Sequence, residues 1–291
     1  MHSDPALFAL SAAASLEDAL QRLAAEPGRY TPLAGGTELM VAFNSGRLPP
    51  CSLLSIQALR ELRFIHVEPE RITIGAGSTF TDLRSNEILA RDLPLLAQAA
   101  SWTGSIANQN RGTLGGNICN ASPAADTPPV LLAYDAEITL ISNEGERSLP
   151  YRDFHLAYKQ TALRPQELVY SVSIPRRFAE WKQYVRKVGA RNAQAISKTA
   201  LACVGRMEES TIAEASVAAA SLADRPIRLT ATERALHGQS LQPAEIETTV
   251  RLARAALALE VRPIDDIRST ARYRMHVAAN LLEDWIRSMV H

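Results

Sequence analysis

The sequence predicts an α+β protein of two domains, and three observations carry that prediction. Its 291 residues are about twice the usual length of a single domain. Short strand-like runs through the first half are punctuated by glycine turns and helical stretches. The remainder sets three strand-like runs ahead of three helical patterns, the order of an α+β unit. Hydrophobic residues make up 46% and charged residues 21%, a globular composition able to form a sizeable core.

The elements follow in order. Ser15 to Glu26 reads as a helix: Ser15 can cap it, Asp18 stands at the capping-box spacing, and Leu16, Ala19, Leu20, Leu23 and Ala24 form one apolar stripe. Pro27-Gly28 stops it. An extended run from Tyr30 to Ala34 enters Gly35-Gly36, and Thr37 is placed to cap a helix carrying Leu39, Met40 and Phe43. Strands are expected at Ser52 to Ile56 and Arg71 to Ile74, then a helix at Pro94 to Trp102. Ser105 to Pro129, rich in Gly, Asn, Ser and Pro, reads as an extended loop region with a functional occupant. Strands resume at Glu137 to Ile141 and Glu167 to Ile174. Pro175 and the two arginines after it set the expected boundary, with domains at 1–176 and 177–291. Beyond it come strands at Tyr184 to Val188, Leu201 to Met207 and Ile212 to Ala220, then helices at Ile227 to His237, Pro243 to Glu260 and Ser269 to Met289. In the last helix Tyr273, Val277, Leu281, Leu282 and Trp285 share one side, either a core-facing stripe or an assembly surface.

Several function classes are disfavoured. Lys plus Arg and Asp plus Glu both number 31, so no net charge draws the molecule to nucleic acid or anionic lipid. Cys51, Cys119 and Cys203 are widely spaced without a C-x-x-C, and the six histidines offer no ligand pair at helical spacing. Any metal or iron–sulfur centre is therefore expected on a partner, and no metal site on this chain. Met-His-Ser-Asp-Pro does not open a leader, and no run reaches the roughly 18 apolar residues of a membrane span. The expectation is a cytoplasmic protein.

Two glycine loops hold the chemistry. The first is Leu33-Ala34-Gly35-Gly36-Thr37-Glu38-Leu39. Glycines between strand and helix let backbone N–H groups approach an anion, and the helix that follows adds a favourable dipole, so a pyrophosphate suits it. A ligand-free tight turn is the plain alternative. The second runs from Asn110 through Arg111, Gly112, Thr113, Leu114, Gly115 and Gly116 to Asn117, and Asp126 follows it. Consecutive backbone donors, the Thr113 hydroxyl, the Asn110 and Asn117 amides and the Asp126 carboxylate are what a dinucleotide's phosphates and hydroxyls need. Alternatively, Asp126 caps the helix that Thr127, Pro128 and Pro129 begin. Neither loop is G-x-G-x-x-G, which disfavours a Rossmann reading.

Together these motifs resemble the flavin subunits of molybdenum hydroxylases, among them the medium subunit of carbon monoxide dehydrogenase and the FAD domain of xanthine dehydrogenase. The likeness rests on Ala34-Gly35-Gly36-Thr37-Glu38-Leu39 paired with Thr113-Leu114-Gly115-Gly116-Asn117 and Ala121-Ser122-Pro123-Ala124-Ala125-Asp126. It continues through Tyr158 to Pro165, Ser173-Ile174-Pro175, Arg186-Lys187-Val188 and Ala195 to Lys198, so it spans nearly the whole chain.

The resemblance implies a two-lobed PCMH-type FAD-binding domain, then a C-terminal domain of a small antiparallel sheet plus a three-helix bundle. It implies FAD as the cofactor, with the pyrophosphate on Leu33 through Leu39 and the flavin and phosphates against Thr113, Gly115, Gly116 and Asn117. Asp126 matches a carboxylate that binds a cofactor hydroxyl, and Thr103 falls at a contact position. Val169 and Lys187 fall at an apolar and a lysine contact, although an alternating strand gives either an ordinary place. Ile196 stands where some relatives have a tyrosine or tryptophan beside the isoalloxazine. The implied role is electron transfer from a 2Fe-2S small subunit to NAD or another acceptor, beside a molybdopterin-binding large subunit, in a dimer of heterotrimers. No catalytic residue is expected on this chain. A free-standing FAD oxidase, which needs a base or covalent anchor near the flavin, and a non-catalytic docking subunit are the alternatives.

Overall fold

The computed structural model describes residues 3–191 and 194–290. The N-terminal lobe is a three-stranded parallel sheet in the order Ala9–Ala12, Ser52–Ser55, Tyr30–Leu33. Between its first two strands in sequence runs the helix Leu16–Ala25, where the Ser15 hydroxyl accepts the Asp18 N–H at 3.1 Å and the Asp18 carboxylate turns back to accept from Ala14 N. The predicted stripe is the buried one: Ala19, Leu20 and Leu23 pack with Leu54, Leu59 and Leu62 in a small core. Loops leaving the carboxyl ends of the parallel strands are where ligands of such sheets gather, and the first glycine loop is one of them.

The second lobe is built on a five-stranded antiparallel sheet, Ile65–Val67, Arg71–Gly75, Leu168–Pro175, Glu137–Ser142 and Gly145–Pro150 in spatial order. Helix Pro94–Trp102 has the expected bounds. Ser105 to Pro129 is not extended as expected. It winds into two short helices, Ile106–Gln109 and Leu114–Cys119, because Ser105 and Thr113 each cap a turn through their hydroxyls, and the helix Pro128–Ala133 begins at its end as expected. Gly115 and Gly116 therefore lie in a helix.

One buried group here makes the lobe acid-sensitive. His155 is 5% exposed, takes a 2.9 Å hydrogen bond between its Nε2 and the Tyr151 hydroxyl, and has no partner at Nδ1 among the described residues. Burial, helped by the nearby Arg225 charge, pushes the imidazole pKa down from 6.5 to about 4. The unfolded chain then binds the extra proton first, so the stabilisation from a neutral His155 is complete above pH 6.5 and drains as pH falls toward 4. The loss reaches about 3 kcal/mol. Urea denaturation across that interval should show the fall, and His155→Gln should flatten it.

The C-terminal sheet has the order Lys182–Val188, Thr199–Glu208, Thr211–Ala220, Ile227–Arg228, all antiparallel. Its two faces are both buried, and alternation divides them. Val185, Ala202, Val204 and Ala218 join the core of the second lobe, together with helix Pro128–Ala133. Leu201, Cys203, Val217 and Ala219 face the helices Thr230–Leu236, Ile246–Glu260 and Ala271–Ser288. Ile227 and Arg228, expected to open a helix, instead pair as a strand with Ala219 and Ala218. In the last helix Leu281, Leu282 and Trp285 are buried, Val277 is packed against the same core and Tyr273 is exposed at the end, so that stripe faces the core.

Candidate functional site: a dinucleotide cradle

The first loop links the strand Tyr30–Leu33 to the helix Leu39–Asn44. Thr37 does not cap that helix as expected; Glu38 holds the cap position with no side-chain bond. With only six residues the helix offers little dipole. The loop's asset is its main chain. Among the described residues the N–H groups of Ala34, Gly35, Gly36, Thr37 and Glu38 meet no acceptor in the chain, which leaves a short run of donors for an anion. Gly36 makes the turn possible with φ +72°.

Gly35 has a different reason to be glycine: a Cβ there would sit 1.9 Å from the Arg111 carbonyl oxygen. The two glycine loops therefore touch backbone to backbone. Arg111 fastens the contact, its Nε donating to Gly35 O at 3.2 Å and its guanidinium to Gln57 Oε1 at 3.0 Å.

The second loop does not supply the expected run of backbone donors. Leu114 N donates to Ser78 O, Gly115 N to Ala76 O, Gly116 N to the Thr113 hydroxyl and Asn117 N to Thr113 O. The first two bonds lash the helix Leu114–Cys119 to the turn after the strand Arg71–Gly75, and the other two close its own first turn. Gly115 is required there, since a Cβ would lie 2.7 Å from that of Ala76. Leu114 is buried, while Gly116 faces solvent. Asn117 keeps its side-chain N–H donors, its Oδ1 accepting from the Thr127 hydroxyl at 2.7 Å. Asn110 accepts from Thr81 at 2.6 Å.

Asp126, Thr103 and Lys187 come together. Asp126 does not cap the helix Pro128–Ala133; its Oδ2 pairs with Lys187 Nζ at 2.7 Å, both side chains being about nine-tenths buried. Lys187 Nζ also donates to Trp102 O at 3.4 Å, and the Thr103 hydroxyl, which donates to Ala99 O, lies beside the carboxylate. Burial pushes the Asp126 carboxyl up from the ordinary range, with Lys187 and Thr103 pulling the other way. Its Oδ1 is buried and has no partner among the described residues. A buried acceptor without a donor is costly, and a ligand hydroxyl would satisfy it. Free amides on one loop and a free carboxylate oxygen beyond the other fit a dinucleotide's anion and hydroxyls.

Comparison with known proteins decides what that dinucleotide is. Residues 6–177 match the model of the FAD binding domain in molybdopterin dehydrogenase, and residues 184–289 that of the CO dehydrogenase flavoprotein C-terminal domain. The chain belongs to the FAD-binding subunits of the molybdenum hydroxylases. This FAD-binding subunit is 30% identical to the glyceraldehyde dehydrogenase medium chain of Sulfolobus acidocaldarius, over 94% of this chain and 95% of that one. It is 29% identical to the xanthine dehydrogenase FAD-binding subunit of Escherichia coli O157:H7, over 96% and 94%. Among solved structures it resembles a chain of carbon monoxide dehydrogenase from Hydrogenophaga pseudoflava that lacks the Mo-pyranopterin moiety, at 28% identity and TM-score 0.90 over 95% of each chain. The two-lobed FAD domain and C-terminal flavoprotein domain are those the motifs implied.

In this FAD-binding subunit Val169 is a core residue, 5% exposed and in the same cluster as Ala76 and Leu114. Ile196 is 54% exposed. Arg111 and Lys159 have no role at the site predicted from sequence. Arg111 stands inside the second motif, and only the fold reveals its grip on Gly35. Lys159, at φ +55°, donates from Nζ to Asn120 O at 2.6 Å and to Asn120 Oδ1 at 2.7 Å. Burial pushes its ammonium pKa down, while the charge of Glu38 on the first loop pulls it up, so this cation borders the cradle. Its place in the Tyr158 to Pro165 stretch of the family likeness is the sequence signal that could have found it. Among the described residues no group of His, Cys, Asp and Glu could hold a metal, and no helix is long and apolar enough to cross a membrane.

Proposed function

We propose that this subunit relays electrons within a molybdenum hydroxylase, holding FAD by its pyrophosphate on the Ala34–Glu38 amides and by a hydroxyl on Asp126 Oδ1. The observation that carries the reading is the orphaned, buried Oδ1 of Asp126 in a chain whose first loop also leaves its amides free. Leu33 and Leu39 bracket that loop. Thr103 supports Asp126, and Thr113, Gly116 and Asn117 present the opposite wall, with Asn110, Gly115 and Leu114 fixing its position and Val169 backing it from the core. Bound FAD would supply two-electron storage, so that electrons arriving singly from a 2Fe-2S partner leave to NAD or another acceptor. The protein's own task is to bind and orient, and no side chain is assigned acid–base work.

The partners on this reading are a molybdopterin-binding large subunit and a 2Fe-2S small subunit, assembled as a dimer of heterotrimers. Cys51, Cys119 and Cys203 are free thiols, which suits a reducing cytoplasm. Purification under native conditions should bring down both partners. Stopped-flow reoxidation of the reduced complex by NAD and by oxygen then identifies the acceptor. Substrate turnover by the isolated chain would overturn the relay in favour of a free-standing oxidase.

A further inference from the structure

We propose that Lys187 is a positioning residue that acts on the cofactor through Asp126, so that FAD binding and the seating of the C-terminal sheet are one coupled event. The inference rests on the FAD reading above. Asp126 belongs to the FAD-binding half, whereas Lys187 comes from Lys182–Val188, the edge strand of the C-terminal sheet. Val185, two residues earlier on the same face of that strand, is buried in the core of the second lobe. Seating Val185 in that core delivers the Lys187 ammonium to Asp126 Oδ2 and to the Trp102 carbonyl.

Two consequences follow for the carboxylate. Its plane is pinned by one oxygen, which leaves Oδ1 as a fixed, buried acceptor without a partner among the described residues. The only cation paired with it among the described residues offsets part of the penalty that burial puts on its charge. A ligand that uses Oδ1 binds the seated arrangement and not the unseated one, so by linkage it must also stabilise seating. Lys187 need not touch the ligand. Other polar ties between the halves, such as the Ser216 hydroxyl to Ala133 O and Arg228 to Asp135 and Leu132 O, do not involve Asp126 and keep the sheet attached when FAD is absent.

The full-length chain and FAD itself test this. In the unmutated chain, hydrogen exchange should slow on FAD addition in loops 33–39 and 113–117 and also in the strand 182–188. Slowing in the loops alone overturns the coupling; no binding at all overturns the FAD reading instead. Dissociation constants from flavin fluorescence give the second arm. Lys187→Met and Asp126→Asn should each weaken binding about tenfold or more, and the double variant no further than Asp126→Asn alone. Lys187→Arg, which keeps the cation, should recover most of the loss. Lys187→Met binding as the unmutated chain does, losses that multiply in the double variant, or no recovery with arginine contradicts a role through Asp126. Should Lys187→Met not fold, the exchange experiment on the unmutated chain decides alone.

Discussion

Gly35→Ala is expected either to lose about 3 kcal/mol of stability or to hold FAD roughly a hundredfold more weakly. The added methyl carbon would stand 1.9 Å from the Arg111 carbonyl oxygen and 2.9 Å from Gly112 Cα, so neither a rotamer change nor a flexible side chain can relieve it. Main chain must move. If the loops hold together, overpacking costs about 3 kcal/mol of stability. If they part instead, the free amides of Ala34 to Glu38 lose their place against the second loop, and the same energy appears as roughly a hundredfold weaker binding. Both outcomes are visible by measuring thermal melting and FAD fluorescence quenching on one sample. Gly35→Ala with unmutated stability and unmutated affinity would mean that the loops do not meet as described.

Arg228→Met should have the largest effect on stability away from the cradle. Arg228 lies on the last strand of the C-terminal sheet and donates to Asp135 Oδ1 at 2.5 Å and to Leu132 O at 2.8 Å, both in the FAD-binding half, while its Nε pairs with Glu233. Burial opposes its charge, yet the Glu233 and Asp135 carboxylates outweigh that and raise the guanidinium pKa. Glu233 is itself buried enough for its pKa to be raised despite Arg228. Methionine fills similar space but leaves the Glu233 carboxylate buried without its cation. Removing one partner of such a pair costs about 3 to 5 kcal/mol. A fall of that size in urea denaturation is expected, and a loss under about 1 kcal/mol, the value of an exposed pair, would contradict the geometry.

Much of the fold could be read from residues whose signals are local. The Ser15 cap, the Leu20 and Leu23 stripe and the Pro94 helix start all depend on near neighbours, and they appear where expected. Strand Gly145–Pro150 is not legible in the sequence because it is an edge strand, largely exposed, and carries no apolar alternation. Strand Ala9–Ala12, also an exposed edge, is hidden for the same reason. Helices Phe80–Ser85 and Glu87–Asp92 are too short for a period to show, although Thr79 and Asn86 cap them. The cradle divides in the same way. Glycine at 35, 36, 115 and 116 marks the loops, but composition alone could not tell free amides from occupied ones. That difference is set by the Ala76 and Ser78 carbonyls, which are distant in sequence. The meeting of Lys187 with Asp126 likewise depends on how the C-terminal sheet packs, which no spacing encodes.

FAD binding is tested most directly by the flavin content of the purified 291-residue chain. One FAD per chain is predicted, seen as flavin absorbance and released on denaturation, with reconstitution restoring it to any apoprotein. A colourless, fully folded chain that cannot be reconstituted with FAD would contradict it.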